Sequence, residues 1–164
     1  MLVVDDMLTT DALSCAVRTV FREFALVLIV HPDDASLPAS YWGDSEAGVT
    51  GRSIHVRGNT PIHSLLHEAC HVVCTTAAEF VRDAGGCDDE ESAVCAMQLL
   101  LAEVLPGVGA ERMARDMDDW GYSFREGSAW QFRSGDGRHA LDWLADERPQ
   151  AWRTVMSLVG TIAH

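Results

Sequence analysis

The run Ile62-His63-Ser64-Leu65-Leu66-His67-Glu68-Ala69-Cys70-His71-Val72-Val73-Cys74, which follows Pro61 and contains neither Gly nor Pro, restricts the fold more than any other stretch of the chain. Its apolar residues, Ile62, Leu65, Leu66, Ala69, Val72 and Val73, recur at helical spacing on both sides of a polar stripe, the pattern of a largely buried helix. Thr60 is placed to cap that helix and Pro61 to occupy its first position. His67 and His71, four residues apart, then share one face one turn apart. Two imidazoles so placed reach a single divalent ion at about 2.0–2.1 Å from each nitrogen. Glu68 stands beside them, able to take a proton from water on that ion instead of binding it. The competing reading is an amphipathic helix whose histidines face water. It is weakened because buried polar groups cost stability unless they have partners.

Downstream, Asp83-Ala84-Gly85-Gly86 breaks the chain, and a second helix is expected from Asp88 or Asp89, as cap, to about Leu105. Its acidic first turn suits the helix dipole, and Ala93 to Ala102 is apolar nearly all round, so it is expected to be buried. Glu90 and Glu91 open it, where a third metal ligand is expected. Two His and one Glu leave a coordination position for water, as in catalytic zinc sites.

With these residues the chain resembles the zincin metallopeptidases, and among them the gluzincins, where H-E-x-x-H is followed roughly twenty residues later by a glutamate ligand. Glu90 follows His71 by nineteen positions and Glu91 by twenty. The family's glutamate is often followed at the third position by a small residue and at the fourth by Asp or Asn. Glu90 has Ala93 at the third, Glu91 the bulkier Val94, and Glu91 can also close a capping box with Asp88. Glu90 is therefore favoured, with Glu91 as the alternative. The fourth position, Val94 or Cys95, departs from the family pattern.

The resemblance implies a zincin-like α+β fold. It comprises a small mixed or antiparallel sheet with an edge strand, the H-E-x-x-H helix, a second buried helix supplying the Glu, and C-terminal helices. It also implies a zinc-dependent hydrolase, most simply a peptidase acting on a peptide or protein. Tyr122 and His139 are the downstream residues that would steady a tetrahedral oxyanion, as a Tyr or His does in family members. Two other functions share the motif. Two His and a carboxylate also describe non-haem iron oxygenases, and the elongation factor P hydroxylases carry a similar H-E-x-x-H, which makes Fe2+ the alternative to Zn2+. A non-catalytic regulatory domain stabilised by metal is the third.

At 164 residues a single domain, 1–164, is expected. The formal net charge of −13 argues against nucleic acid as a partner, because phosphate would be repelled. No run approaches the ~20 apolar residues of a membrane span, and Met1–Asp6 lacks the basic start of a signal peptide. Five cysteines without C-x-x-C, Cys15, Cys70, Cys74, Cys87 and Cys95, read as reduced packing thiols of a cytoplasmic protein.

Along the rest of the chain, 10–24 is expected to be an amphipathic helix capped near Thr10, and Ala25–Val30 a buried strand. A short strand is expected at Tyr41-Trp42. Residues 51–58 alternate as a half-exposed edge strand, the one that by resemblance would pair with an extended substrate. Ala110–Asp119 and Pro149–Val159 read as helices, with short extended pieces at 121–124 and 130–132 and a loop at 134–137 before Ala140–Glu147. His63, in the first turn, is expected to cap the helix or support a ligand. Arg125, Arg133 and Arg138 read as surface cations.

Overall fold

The structure, a computed structural model, describes residues 1–40, 45–75 and 88–162. The chain divides into two compact units, Met1–Val72 and Val73–His164.

The first unit opens with α1 (Val4–Thr9) and α2 (Asp11–Glu23). Asp6 Oδ2 accepts from Val3 N at 3.1 Å and starts α1, a short helix that the sequence pattern does not announce. α2 follows at once; its cap residue Thr10 does not cap by side chain but donates to Asp6 O at 2.9 Å. Leu13, Val17, Val20 and Phe21 form the buried stripe of α2. At its end Ala25 adopts φ 51, and Arg52 Nε donates to Ala25 O at 2.9 Å while Arg52 also donates to Phe24 O. One side chain thus satisfies two carbonyls that the helix leaves open.

Three strands follow: β1 (Val27–His31), β2 (Gly48–Thr50) and β3 (Ser53–Arg57), in spatial order β1-β3-β2. β1 runs parallel to β3, pairing Leu28 with Ile54 and Val30 with Val56, and β2 runs antiparallel, pairing Val49 with Ile54. This reverses two expectations. β3 is the central strand, paired with β1 along its whole length and with β2 from Ser53 to His55, and its Ile54, His55 and Val56 are all buried. β1, read as buried, is at the margin, with Val27 55% and Val30 46% exposed. The strand expected at Tyr41-Trp42 lies outside the described residues.

His55 escapes the usual cost of burying a polar side chain by bonding on both ring nitrogens. Its Nδ1 lies 2.9 Å from His31 Nε2 and its Nε2 lies 2.6 Å from Thr50 Oγ1, a chain of hydrogen bonds crossing all three strands. Burial, and then the neighbouring His31, lower the His55 pKa from its ordinary value.

In the second unit α4 (Asp88–Val104) is the central helix, buried at every residue from Ala93 to Leu99. α5 (Ala110–Trp120), α7 (Asp136–Glu147) and α8 (Pro149–Ile162) pack against it, and α6 (Ala129–Ser134) joins α5 to α7. Gln98, fully buried on α4, donates to Met113 Sδ on α5 at 3.4 Å. Gly121, φ 105, ends α5 in the left-handed conformation usual at that position. Residues 130–132, expected to be extended, are helical instead, because Ser128 Oγ accepts from Gln131 N at 3.2 Å and starts α6. Residues 121–124 form no strand. No helix among the described residues is long and apolar enough to cross a membrane.

Candidate metal centre

The motif helix, α3, spans Ile62–Cys74 as its composition requires. Its start is fixed by the N-terminus: Val3 bridges Pro61, Val4 N donates to Thr60 O and Ile62 N donates to Leu2 O, both at 2.9 Å. Thr60 is buried but does not cap α3; its hydroxyl accepts from Arg57 N at 2.9 Å and closes the turn after β3. Ser64 Oγ accepts from Ala47 N at 3.0 Å, tying the approach to β2 onto the helix.

His67 and His71 are half-buried, and their Nε2 atoms stand 3.1 Å apart. The rings meet edge to face, 79° between planes and 4.7 Å between centroids. Two nitrogens each about 2.0–2.1 Å from a tetrahedral ion are separated by roughly 3.3 Å, so the observed spacing fits a shared ion with a slight adjustment of either χ2. In the metal-free state the same pair can hold one proton between them as a hydrogen bond. Glu68, also half-buried, is the next residue on the helix, about 100° round from His67. His63, one turn earlier and 1% exposed, is not a surface cap. Its pKa falls to about 4, through burial first, then the neighbouring His67 and the N-terminal ammonium, so it is a neutral imidazole behind the pair.

Both glutamates belong to the second unit, and α4 treats them differently. Glu90 is 6% exposed; Thr75 Oγ1 donates to its Oε1 at 3.3 Å and an Arg148 nitrogen lies 3.8 Å from its Oε2. Arg148 also donates through Nε to Cys74 O at 2.9 Å, closing the C-terminal end of α3, and lies over the Trp143 ring. Glu90 is thus oriented and charge-balanced, the support that a ligating carboxylate receives and that a plain buried ion pair receives as well. Glu91 is exposed, and its carboxylate lies within 4.8 Å of Cys95 Sγ, one turn along.

Cys70, Cys74 and Cys95 are buried free thiols, as expected of packing residues, and Cys15 is exposed. Burial, with Glu90 adding and Arg148 opposing, pushes the Cys74 thiol up to about 12; burial and Glu91 do the same for Cys95. Cys87 and the Asp83–Gly86 break lie outside the described residues.

Comparison with family models, curated proteins and solved structures finds no match for this chain. Tyr122, half-buried, stacks on Phe124 at 6.4 Å, and His139 stands exposed on α7; both belong to the second unit. Arg148 and Thr75 are the partners of Glu90 that sequence reasoning missed. Nothing local marks an Arg before Pro149 as the partner of a glutamate on another helix. Sequence reasoning also missed the approach of Cys95 Sγ to the Glu91 carboxylate, although their four-residue helical spacing was a signal that could have found it.

Proposed function

We propose that the chain is a metal-dependent hydrolase of zincin type, most simply a zinc peptidase. His67 and His71 are two ligands, Glu90 is the third with Glu91 as the alternative, and Glu68 is the general base. The observation that carries this reading is the 3.1 Å separation of the two Nε2 atoms on one helix, in an H-E-x-x-H frame. Supporting it, Glu90 is buried and oriented by Thr75 and Arg148.

A divalent ion held there supplies Lewis acidity, lowering the pKa of a coordinated water to about 7 and polarising a substrate carbonyl. Glu68 accepts the proton from the attacking water on a carboxylate oxygen and passes it to the amine nitrogen as the peptide C–N bond breaks. His63, uncharged at neutral pH, adds no positive charge beside His67 and so leaves the cation's affinity undiminished. Tyr122 and His139 are retained as proposed oxyanion partners on the strength of the resemblance alone.

The test is Glu68→Gln, assayed for metal content and for cleavage of a mixed-peptide library. Metal content should be retained, while cleavage falls by at least about a hundredfold, the usual scale of a general base. Unchanged cleavage would remove Glu68 from the mechanism. Absence of cleavage by fully zinc-loaded wild type would overturn the peptidase reading, and oxygen uptake by the iron-loaded protein would then point to the oxygenase.

A further inference from the structure

The outer edge of β1 presents both backbone groups and apolar side chains. β1 pairs with β3 on one side, and the 3.0 Å bond from Val27 N to Arg52 O fixes which residues turn inward. In that register Val27, Ile29 and His31 direct their N–H groups toward β3. Leu28 and Val30 direct theirs, with their carbonyls, outward, and find no outward backbone partner among the described residues. Edge strands are ordinarily protected by a charge, a proline or a bulge. Val27-Leu28-Ile29-Val30-His31 has no acid, Lys, Arg or Pro, and its register with β3 is unbroken. Val27 and Val30 are both exposed.

Two features of this edge match a second copy of itself. Leu28 and Val30 lie symmetrically about Ile29, so a twofold axis there sets Leu28 opposite Val30 of the second copy. Such pairs exchange N–H···O bonds in both directions, so every outward N–H and carbonyl of the two residues is taken. The match stops at Pro32, which has no N–H.

The ends of β1 also differ in charge. Beside its start Arg22 is paired with Glu23, which leaves Arg52, donating to the Ala25 and Phe24 carbonyls, as the surplus cation. Beyond its far end the exposed acids Asp33 and Asp34, with Asp5 against Gly58, outnumber Arg57, which donates to the Asp33 and Ala35 carbonyls. Antiparallel pairing sets the acidic end of each copy against the basic end of the other. A strand of unrelated sequence would meet the backbone groups without that match of ends.

We propose that two copies of this chain pair antiparallel along β1, joining their sheets across a twofold axis at Ile29. The contact is a single strand pair, at the small end of interface sizes, and the net charge of −13 on each chain opposes it. The association is therefore weak and reversible. It rests on the first unit and not on the metal centre.

The test is sedimentation equilibrium of the full-length chain up to about 1 mM, a range that reaches weak complexes, with amide hydrogen exchange followed by NMR. A dimer is expected. The Leu28 and Val30 amides should exchange fast in dilute solution and slowly when concentrated, with Ile29 protected in both. Leu28→Pro deletes an outward N–H without removing a bond to β3, and continued protection of Ile29 checks that its sheet is intact. It should weaken pairing about tenfold or more, because the twofold removes two bonds at once. Val30→Lys, which charges the edge, should weaken pairing as well. Asp34→Lys reduces the net negative charge yet should also weaken pairing, the reverse of what general repulsion predicts. A chain that stays monomeric throughout would overturn the proposal, as would a dimer whose Leu28 and Val30 amides stay fast. So would pairing that Leu28→Pro and Val30→Lys leave unchanged, or that Asp34→Lys strengthens. An uncharged pentapeptide of alternating Thr and Val that slows those two amides at concentrations below self-pairing would assign the edge to extended peptides instead, and overturn it too.

Discussion

His63 has no surface to face, and that sets a pH dependence for the metal-free protein. Folded, its imidazole takes up a proton only near pH 4; unfolded, it does so near its ordinary value of 6.5. Between those values the unfolded chain binds more protons, so this contribution is fully present above pH 6.5 and is lost as the pH falls toward 4. The amount at stake is on the order of 3 kcal/mol. Urea unfolding of the metal-free protein at pH 7 and pH 4.5 should show a steeper loss of stability in wild type than in His63→Gln, in which this proton is absent. Parallel losses would mean that His63 is solvated and that the histidine stripe of α3 is looser than described. The spacing of His67, Glu68 and His71 was legible because it is local to one helix. The burial of His63 was not, since a first-turn polar residue ordinarily points to water, and nothing local announces that the N-terminal segment bridges Pro61 at the start of this helix.

The elements divide between those set by their own sequence and those set by their neighbours. α3 and α4 match the expected ranges closely because long apolar periodicity and acidic or proline starts act within each segment. α6 was misread although its start signal, Ser128 followed three residues on by Gln131, was present; the aromatic pair Trp130 and Phe132 outweighed it. β3 was misread for a different reason. Its alternation looked half-exposed because His55 counts as polar, whereas His31 and Thr50 supply the partners that allow it to be buried. The end of α2 makes a testable case of neighbour control. Ala25 holds φ 51, a conformation that costs a residue with a Cβ on the order of 1 kcal/mol, and Arg52 bonds across it. Ala25→Gly relieves that strain and offsets it with unfolded-chain entropy of about 0.5–1 kcal/mol, so denaturation should show a change between zero and about 1 kcal/mol of added stability. A loss as large as that of a Gly placed inside α2 would contradict the left-handed turn.

At the scale of the whole molecule, length and composition indicated enough apolar residues for a proper core, and the mixed α and β class was what the resemblance implied; both units have buried cores, one around α2, β3 and α3 and one around α4. Composition did not reveal how β1 and β3 pair across the intervening β2, because a three-stranded sheet with a parallel pair is chosen by long-range contacts. A metal that binds the native state and not the unfolded chain must raise the melting temperature of the whole protein, so zinc addition after chelation should do so in wild type and not in His67→Ala.

The most direct measurement is the metal content, by atomic emission, of wild type and of His67→Ala and His71→Ala purified side by side. Wild type should carry about one zinc per chain and both variants close to background, since one remaining imidazole and a carboxylate do not retain a catalytic zinc through purification. Stoichiometric metal in either variant, or a wild type that takes up no divalent ion when zinc is supplied, would contradict the assignment of His67 and His71 as ligands.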